Sequence, residues 1–105
     1  MIIPGLTAQD TAEVEQVLES LPEIERAWVF GSRAKGNYKT GSDVDLALEG
    51  EHLSFGTLRE ARYRLNEESY LPYHFDILDK STVSSDELCN HLNRVALMVY
   101  KRKTL

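Results

Sequence analysis

The sequence predicts an α/β (α+β) fold, a small mixed β-sheet of at least three strands flanked by helices. Three short segments, 27–30, 43–49 and 74–79, are apolar throughout or alternate apolar and polar residues, as strands do. Amphipathic segments with helical spacing lie before, between and after them. Because 105 residues provide one core and little more, we expect a single domain spanning residues 1–105.

Composition and charge exclude several classes of protein. The formal net charge of −5 argues against a broad basic face for duplex DNA or RNA. The longest apolar run, 95–100, is too short to span a bilayer, and the N-terminus lacks the charged region and apolar core of a signal peptide. One cysteine, Cys89, permits no internal disulfide and suits a reducing compartment. We therefore expect a cytoplasmic protein.

The first two elements are a helix and a strand. Thr7 can cap the helix and Pro22 closes it. Its apolar positions follow the i, i+3, i+4, i+7 spacing: Val14, Val17, Leu18 and Leu21. The strand that follows, 27–30, is apolar on both faces, as expected for a strand with helices packed nearby. Trp28 is interpreted as a core residue, with an interface or base-stacking role as the alternative.

A polar, glycine-bearing loop follows the first strand. Gly31 and Ser32 offer unhindered backbone N–H groups and a hydroxyl, and Arg33 offers a planar positive fork. Residues 33–36 are expected to form a short helical turn that directs free N–H groups at a phosphate. The loop is thus a candidate phosphate-binding site.

The second strand, 43–49, carries a pair of carboxylates. Its alternation places Asp43 and Asp45 on one face, with Cα atoms ~6.5–7 Å apart. Carboxylates so placed can share divalent ions, and Mg²⁺ prefers oxygen ligands. Next to a phosphate-binding turn, they indicate metal-assisted phosphoryl or nucleotidyl transfer. The alternative for Asp-x-Asp alone is a structural pair at a turn.

Ser54 then caps a second helix, whose apolar face is Leu58, Ala61 and Leu65. A polar loop is expected from 66 to 73. A third strand is predicted after this loop.

The third strand, 74–79, supplies a third carboxylate. If it pairs with the second strand so that apolar faces match, Asp76 and His74 point to the face of the carboxylate pair. Asp79 falls with the apolar residues and is expected to be a turn or cap residue. His74 is a candidate for proton transfer, although a strand-end histidine is more often structural.

The last element is predicted to be a helix that opens at Ser85. Its buried stripe would comprise Leu88, Leu92, Val95, Ala96 and Val99. The basic residues 101–103 suit the C-terminus of this helix. His91 lies on it without a spaced partner for a metal site.

The sequence contains Gly-Ser, then ten residues, then Asp-x-Asp in a strand. This pattern resembles the signature of the DNA polymerase β-like nucleotidyltransferases. The resemblance is closest to their smallest branch, the minimal nucleotidyltransferase (MNT) proteins, which often act as antitoxins beside HEPN-type toxins. The family pattern G-S-R-[AV]-[RK]-G…S-D-x-D-L is matched by Gly31-Ser32-Arg33-Ala34-Lys35-Gly36…Ser42-Asp43-Val44-Asp45-Leu46. It implies a polymerase β-like fold over nearly the whole chain.

The resemblance implies transfer of AMP from ATP to a hydroxyl, with release of pyrophosphate. Two Mg²⁺ ions would be held by the catalytic carboxylates Asp43, Asp45 and Asp76. The terminal phosphates would be held by Gly31 and Ser32, with charge added by Arg33. By family analogy the acceptor is a tyrosine of a helical HEPN-type toxin.

A chain of this size leaves no residues for a second domain that clasps base and acceptor. We therefore expect another subunit to complete the site, either the HEPN-type protein or a second copy in a homodimer. Two other classes remain open: a binding module that neutralises its partner by contact, and a small-molecule nucleotidyltransferase of the aminoglycoside type. A template-directed polymerase is disfavoured because neither a basic groove nor a duplex-binding domain is present.

Overall fold

The computed structural model describes residues 1–103 and contains a four-stranded mixed sheet flanked by helices. The helices are α1 (Ala8–Glu19), α2 (Gly31–Lys35), α3 (Phe55–Tyr63) and α4 (Asp86–Val95). The strands are β1 (Arg26–Phe30), β2 (Val44–Glu49), β3 (Phe75–Asp79) and β4 (Leu97–Lys101). The predicted fold class is confirmed. In residues 1–103, each helix is too short or too polar to cross a membrane.

The strand order in the sheet is β3-β2-β1-β4. β1 is antiparallel to both β2 and β4, whereas β2 and β3 are parallel. In the β2–β3 pair Asp45 lies opposite Asp76, which is the register expected from matching the apolar faces of the two strands. In the β1–β2 pair Phe30 lies opposite Asp45, so the end of β1 adjoins the carboxylates.

Hydroxyl side chains begin three of the helices. The Oγ1 of Thr7 accepts a hydrogen bond from the Asp10 N–H at 3.0 Å. The Oγ of Ser54 accepts from the Thr57 N–H at 3.2 Å, and that of Ser85 accepts from the Leu88 N–H at 3.3 Å. Each bond satisfies a first-turn N–H that has no partner within the helix. The three predicted helix starts are confirmed.

The sheet packs helices on both faces. On one face α1 and α3 cover the alternate residues of the strands and form the main core with them. Its fully buried members include Val14, Leu18, Val29, Leu46, Leu48, Leu65 and Phe75. The opposite face is covered by α4, where Leu92 packs on Phe30 and Ala47. Trp28 points to this second face and is only half-buried, with the Lys80 ammonium 5.1 Å from its ring centroid.

The prediction for the last element was wrong in its second half. The helix ends at Val95, Ala96 adopts an extended conformation, and residues 97–101 form β4 instead of continuing the helix. The physical reason is the free edge of β1, whose backbone groups β4 satisfies by antiparallel pairing while Val99 becomes buried. Lys101 is therefore the last residue of the strand, Arg102 and Lys103 follow it, and the three basic residues do not cap a helix.

The loop expected over 66–73 begins later than predicted. Residues 64–68 continue α3 as a π-helical turn, closed by a 2.9 Å hydrogen bond from the Ser69 N–H to the Arg64 carbonyl. This extension brings Asn66 to the edge of the sheet. Its side-chain amide accepts from the Phe75 N–H and donates to the Phe75 carbonyl, so it covers the outer edge of β3 as a neighbouring strand would.

Candidate active site

Three carboxylates lie together on the face of the sheet that carries α4. Asp43 immediately precedes β2, Asp45 is in β2, and Asp76 is opposite Asp45 on β3. Asp45 is half-buried, whereas Asp43 and Asp76 are exposed. The Nδ1 of His74 is 3.6 Å from an Asp43 carboxylate oxygen, so His74 adjoins the same group.

The surroundings of Asp45 raise the pKa of its carboxyl group. Its pKa is raised from 3.8 to about 6, most strongly by burial and further by the charges of Asp76 and then Asp43. Arg33 and His74 lower this pKa, but by less. The site therefore holds more negative charge than its surroundings neutralise, which is the condition that a bound cation relieves.

The donor chemistry of the three carboxylates fits Mg²⁺, which takes oxygen ligands. Their oxygens are not gathered as they stand, because within residues 1–103 no group of three histidine, cysteine, aspartate or glutamate side chains is close enough to hold a metal ion. Asp43 and Asp76 are the two exposed members, so their side chains have room to turn towards Asp45. The charges of Asp76 and Asp43 both contribute to the raised pKa of Asp45.

The chain changes direction at Gly31, between β1 and α2. Gly31 has φ +71°, a conformation that favours glycine. A Cβ at this position would also collide with the Asp45 carboxylate. A glycine is thus needed both for the turn and for the close approach of the backbone to Asp45.

The Gly31 N–H donates a hydrogen bond to Nε2 of His91 on α4, at 3.0 Å. The Gly31 N–H is therefore already bonded. The donors that remain at this turn for binding phosphate belong to the residues after Gly31. The first-turn N–H groups of Ser32 and Arg33 have no acceptor within so short a helix. The Ser32 hydroxyl is half-buried and has no hydrogen-bond partner among residues 1–103.

Arg33 has a different position from the one predicted. Its side chain is buried, with 2% of the residue exposed. Its Nε donates to the Asp43 carbonyl at 3.2 Å, Nη1 to the Pro4 carbonyl at 2.9 Å, and Nη2 to the Ser42 carbonyl at 2.7 Å. These bonds use the guanidinium fork that was predicted to contact phosphate, and they tie α2 to the chain entering β2.

Two tyrosine rings complete the surroundings of this guanidinium. The rings of Tyr38 and Tyr73 have their centroids 5.1 and 5.3 Å from its central carbon. Cation–π contacts of this kind stabilise a desolvated charge. The observed arrangement therefore gives Arg33 a structural role next to the site, from which its positive charge lowers the pKa of Asp45.

Asp79 is a cap residue, as predicted. Its carboxylate accepts hydrogen bonds from the backbone N–H and the hydroxyl of Ser81, at 2.9 and 2.7 Å, and begins the 3₁₀ turn after β3. It points to the main core and not to the carboxylate face.

His91 is the residue at this site that sequence reasoning missed. The sequence offers it no spaced partner for a metal site, and its actual partner is a backbone N–H. A backbone donor leaves no pattern in the sequence. The only available signal was its helical position three residues after Leu88 and one before Leu92, at the border of the apolar stripe.

Comparison with known proteins places this geometry in a family. Residues 12–105 match the family described as polymerase beta, nucleotidyltransferase. The chain is 41% identical over 85 residues to the probable protein adenylyltransferase MntA of Haemophilus influenzae, an alignment that covers 77% of this chain and 71% of that protein.

Solved structures share the fold at lower identity. A toxin–antitoxin crystallised with AMP-PNP superposes with a TM-score of 0.69 at 19% identity, covering 92% of this chain and 76% of that one. The toxin–antitoxin MntA-HepT gives 0.66 at 17% identity, with 91% and 74% covered. A putative nucleotidyltransferase of Sulfolobus solfataricus gives 0.56 at 24% identity, with 89% and 78% covered. By its family match and its identity to MntA, the chain belongs to the polymerase beta nucleotidyltransferases and is an enzyme of that class.

Proposed function

We propose that this nucleotidyltransferase moves AMP from ATP to a tyrosine hydroxyl of a HEPN-type toxin and thereby acts as its antitoxin. The observation that carries the proposal is the alignment of Asp45 with Asp76 across β2 and β3, with Asp43 beside them and the Gly31-Ser32 turn against Asp45. The likeness to MntA supports protein as the acceptor. The AMP-PNP in a structural neighbour supports a nucleoside triphosphate as the donor.

Asp43, Asp45 and Asp76 would hold two Mg²⁺ ions. When bound, such ions offset the charge of the triphosphate and lower the pKa of the acceptor hydroxyl. The Ser32 hydroxyl and the N–H groups of Ser32 and Arg33 would bind the terminal phosphates.

In the transfer itself, the acceptor oxygen forms a bond to the α-phosphorus of ATP while the bond to the pyrophosphate oxygen breaks. The exposed carboxylate of Asp76 takes the proton of the hydroxyl. Arg33 acts on the site through its buried charge, which favours the ionised form of Asp45.

The openness of the site supports a second subunit as the source of the acceptor. The Asp43 side chain is 56% exposed and that of His74 is 66% exposed, so neither is enclosed by this chain. A partner surface would exclude water from these groups and position its hydroxyl. The MntA-HepT complexes among the structural neighbours support a helical HEPN-type protein in this place over a second copy of this chain. This chain would be a single catalytic domain. The reaction would take place in the cytoplasm.

Intact-mass spectrometry tests the proposal. A HEPN-type toxin that forms a complex with this chain is incubated with it, ATP and Mg²⁺, beside a control with the Asp43→Ala/Asp45→Ala protein. Mass increments of one or more AMP units with the wild type alone are expected. A complex that silences the toxin without any increment would overturn the transferase assignment and favour neutralisation by contact.

A further inference from the structure

His91 joins α4 to the turn between β1 and α2. Its Nε2 accepts the Gly31 N–H at 3.0 Å, and its ring packs edge-on against Phe30, with centroids 6.2 Å apart and an interplanar angle of 78°. Phe30 is the last residue of β1 and Gly31 the first of α2. One imidazole thus contacts both residues of the junction.

The hydrogen bond requires a neutral ring with its proton on Nδ1, because a protonated imidazole has no acceptor. Burial lowers the pKa of His91, and the positive charges of Lys35 on α2 and Arg94 on α4 lower it further. Glu87, one turn earlier on α4, lines the same cavity of about 270 Å³ as His91. At neutral pH the ring is therefore in the form that accepts.

Gly31 needs an external restraint more than other residues at the site. Without a side chain it has wide conformational freedom, and nothing of its own holds φ at +71°. Its Cα lies against the Asp45 carboxylate, so a shift of Gly31 changes both the first turn of α2 and the space available to Asp45.

We propose that His91 is a positioning residue, which fixes the phosphate-binding turn by accepting the Gly31 N–H. Its consequence is that the Ser32 hydroxyl and the free N–H groups of α2 are held in place for the triphosphate next to Asp45. This consequence rests on the proposed function. His91 does not touch the nucleotide. It acts through Gly31.

Two variants separate the hydrogen bond from the packing of the ring. His91→Phe keeps an aromatic ring against Phe30 but has no acceptor, whereas His91→Gln offers an amide oxygen that does not titrate. In His91→Phe we expect the protection factor of the Gly31 amide against hydrogen exchange to fall about tenfold, and the dissociation constant for ATP with Mg²⁺ to rise about tenfold. In His91→Gln both should return to within about threefold of the wild type.

The pH dependence provides a second readout. As the pH falls through the pKa of His91, Nε2 changes from acceptor to donor, so the Gly31 amide of the wild type should lose protection while that of His91→Gln does not. Asp45 also gains a proton in acid, with a pKa of about 6, and weakens ATP binding in both proteins. The Gly31 amide distinguishes the two groups.

Unchanged Gly31 protection in His91→Phe would overturn the proposal, as would a His91→Gln protein that binds ATP as weakly as His91→Phe. Amide exchange and ATP binding need neither the acceptor nor turnover. A wild type that binds ATP with the expected Gly31 protection but transfers no AMP would therefore refute the proposed reaction and leave the role of His91 intact.

Discussion

Gly31 and Asp45 constrain each other at the scale of single residues. The turn brings the glycine Cα against the carboxylate, and the carboxylate is the half-buried member of the site, with a raised pKa. Each residue can therefore be changed with a specific expectation for the other.

Replacing Gly31 by alanine should destabilise the protein and weaken ATP binding, because the new methyl group displaces the Asp45 carboxylate. Gly36→Ala is the matched control: Gly36 also has a positive φ, +83°, but a Cβ there meets nothing within 4 Å. The control should cost about 1 kcal/mol of unfolding free energy, from backbone strain alone. Urea denaturation measures both variants, and equal losses would contradict the predicted collision.

The charge of Asp45 should lower stability above pH 6. Its pKa is about 6 in the folded protein against 3.8 when unperturbed, so the folded state binds the proton more tightly. The stabilising contribution of the neutral form is complete below the unfolded pKa and is lost as the pH rises through the folded pKa. Asp45→Asn should therefore gain about 1 kcal/mol at pH 7.5, allowing for solvent screening, and nothing near pH 4.

Thermal denaturation at the two pH values measures this difference. Added Mg²⁺ should raise the melting temperature of the wild type and leave that of Asp45→Asn almost unchanged, because the variant lacks the central carboxylate. A variant less stable than the wild type at pH 7.5 would show that Asp45 is not electrostatically strained.

At the scale of elements, Arg33 connects α2 to two other segments, the N-terminal stretch at Pro4 and the chain entering β2 at Ser42 and Asp43. Arg33→Met should cost about 3 kcal/mol, because three hydrogen bonds are lost. Lys35→Met, on the exposed side of the same helix, should change stability by less than about 0.5 kcal/mol. If Arg33→Met lost ATP binding without losing stability, the result would support the original prediction that Arg33 contacts phosphate.

Whether a feature could be predicted from the sequence depended on how far along the chain its hydrogen-bonding partner lies. Helix starts could be read from Thr7, Ser54 and Ser85 because each hydroxyl caps a neighbour three residues away. The roles of Arg33 and His91 could not be read, since their partners are backbone groups far along the chain, and every residue has such groups. The carboxylate face followed from strand alternation, which is local.

The same contrast explains the error at the last element. Leu88, Leu92, Val95, Ala96 and Val99 repeat at helical spacing, and the first part of that pattern forms α4. Whether the chain then continues as helix or strand depends on the open edge of β1, about 70 residues earlier. Sequence periodicity does not contain that information.

At the scale of the whole molecule, Arg102 joins the end of β4 to the end of α1. Its guanidinium donates to the carbonyls of Leu18, Glu19, Leu21 and Ile24, at 2.9 to 3.1 Å. The acceptors are 78 to 84 residues distant in sequence. Leu18 and Glu19 are the last two residues of α1, and Leu21 and Ile24 lie in the connection from α1 to β1.

Arg102→Met should therefore destabilise the protein by about 2 kcal/mol, because four hydrogen bonds to backbone carbonyls are lost. Lys103→Met removes the same charge from an exposed neighbour and should have little effect. Chemical denaturation compares the two proteins. Because Arg102 is remote from the carboxylates, ATP binding by the folded Arg102→Met protein should equal that of the wild type, and a decrease would reveal coupling between the two ends of the sheet.

The buried guanidinium of Arg33 has a consequence for how the enzyme exists between catalytic cycles. A guanidinium keeps its proton throughout the physiological range, so the protein carries part of the counterion for its acidic site permanently and internally. The acidic site is therefore partly neutralised from within the fold whether or not a cation is bound. If the proposed Mg²⁺ leaves together with pyrophosphate, the chain should stay folded and ready to bind the next triphosphate.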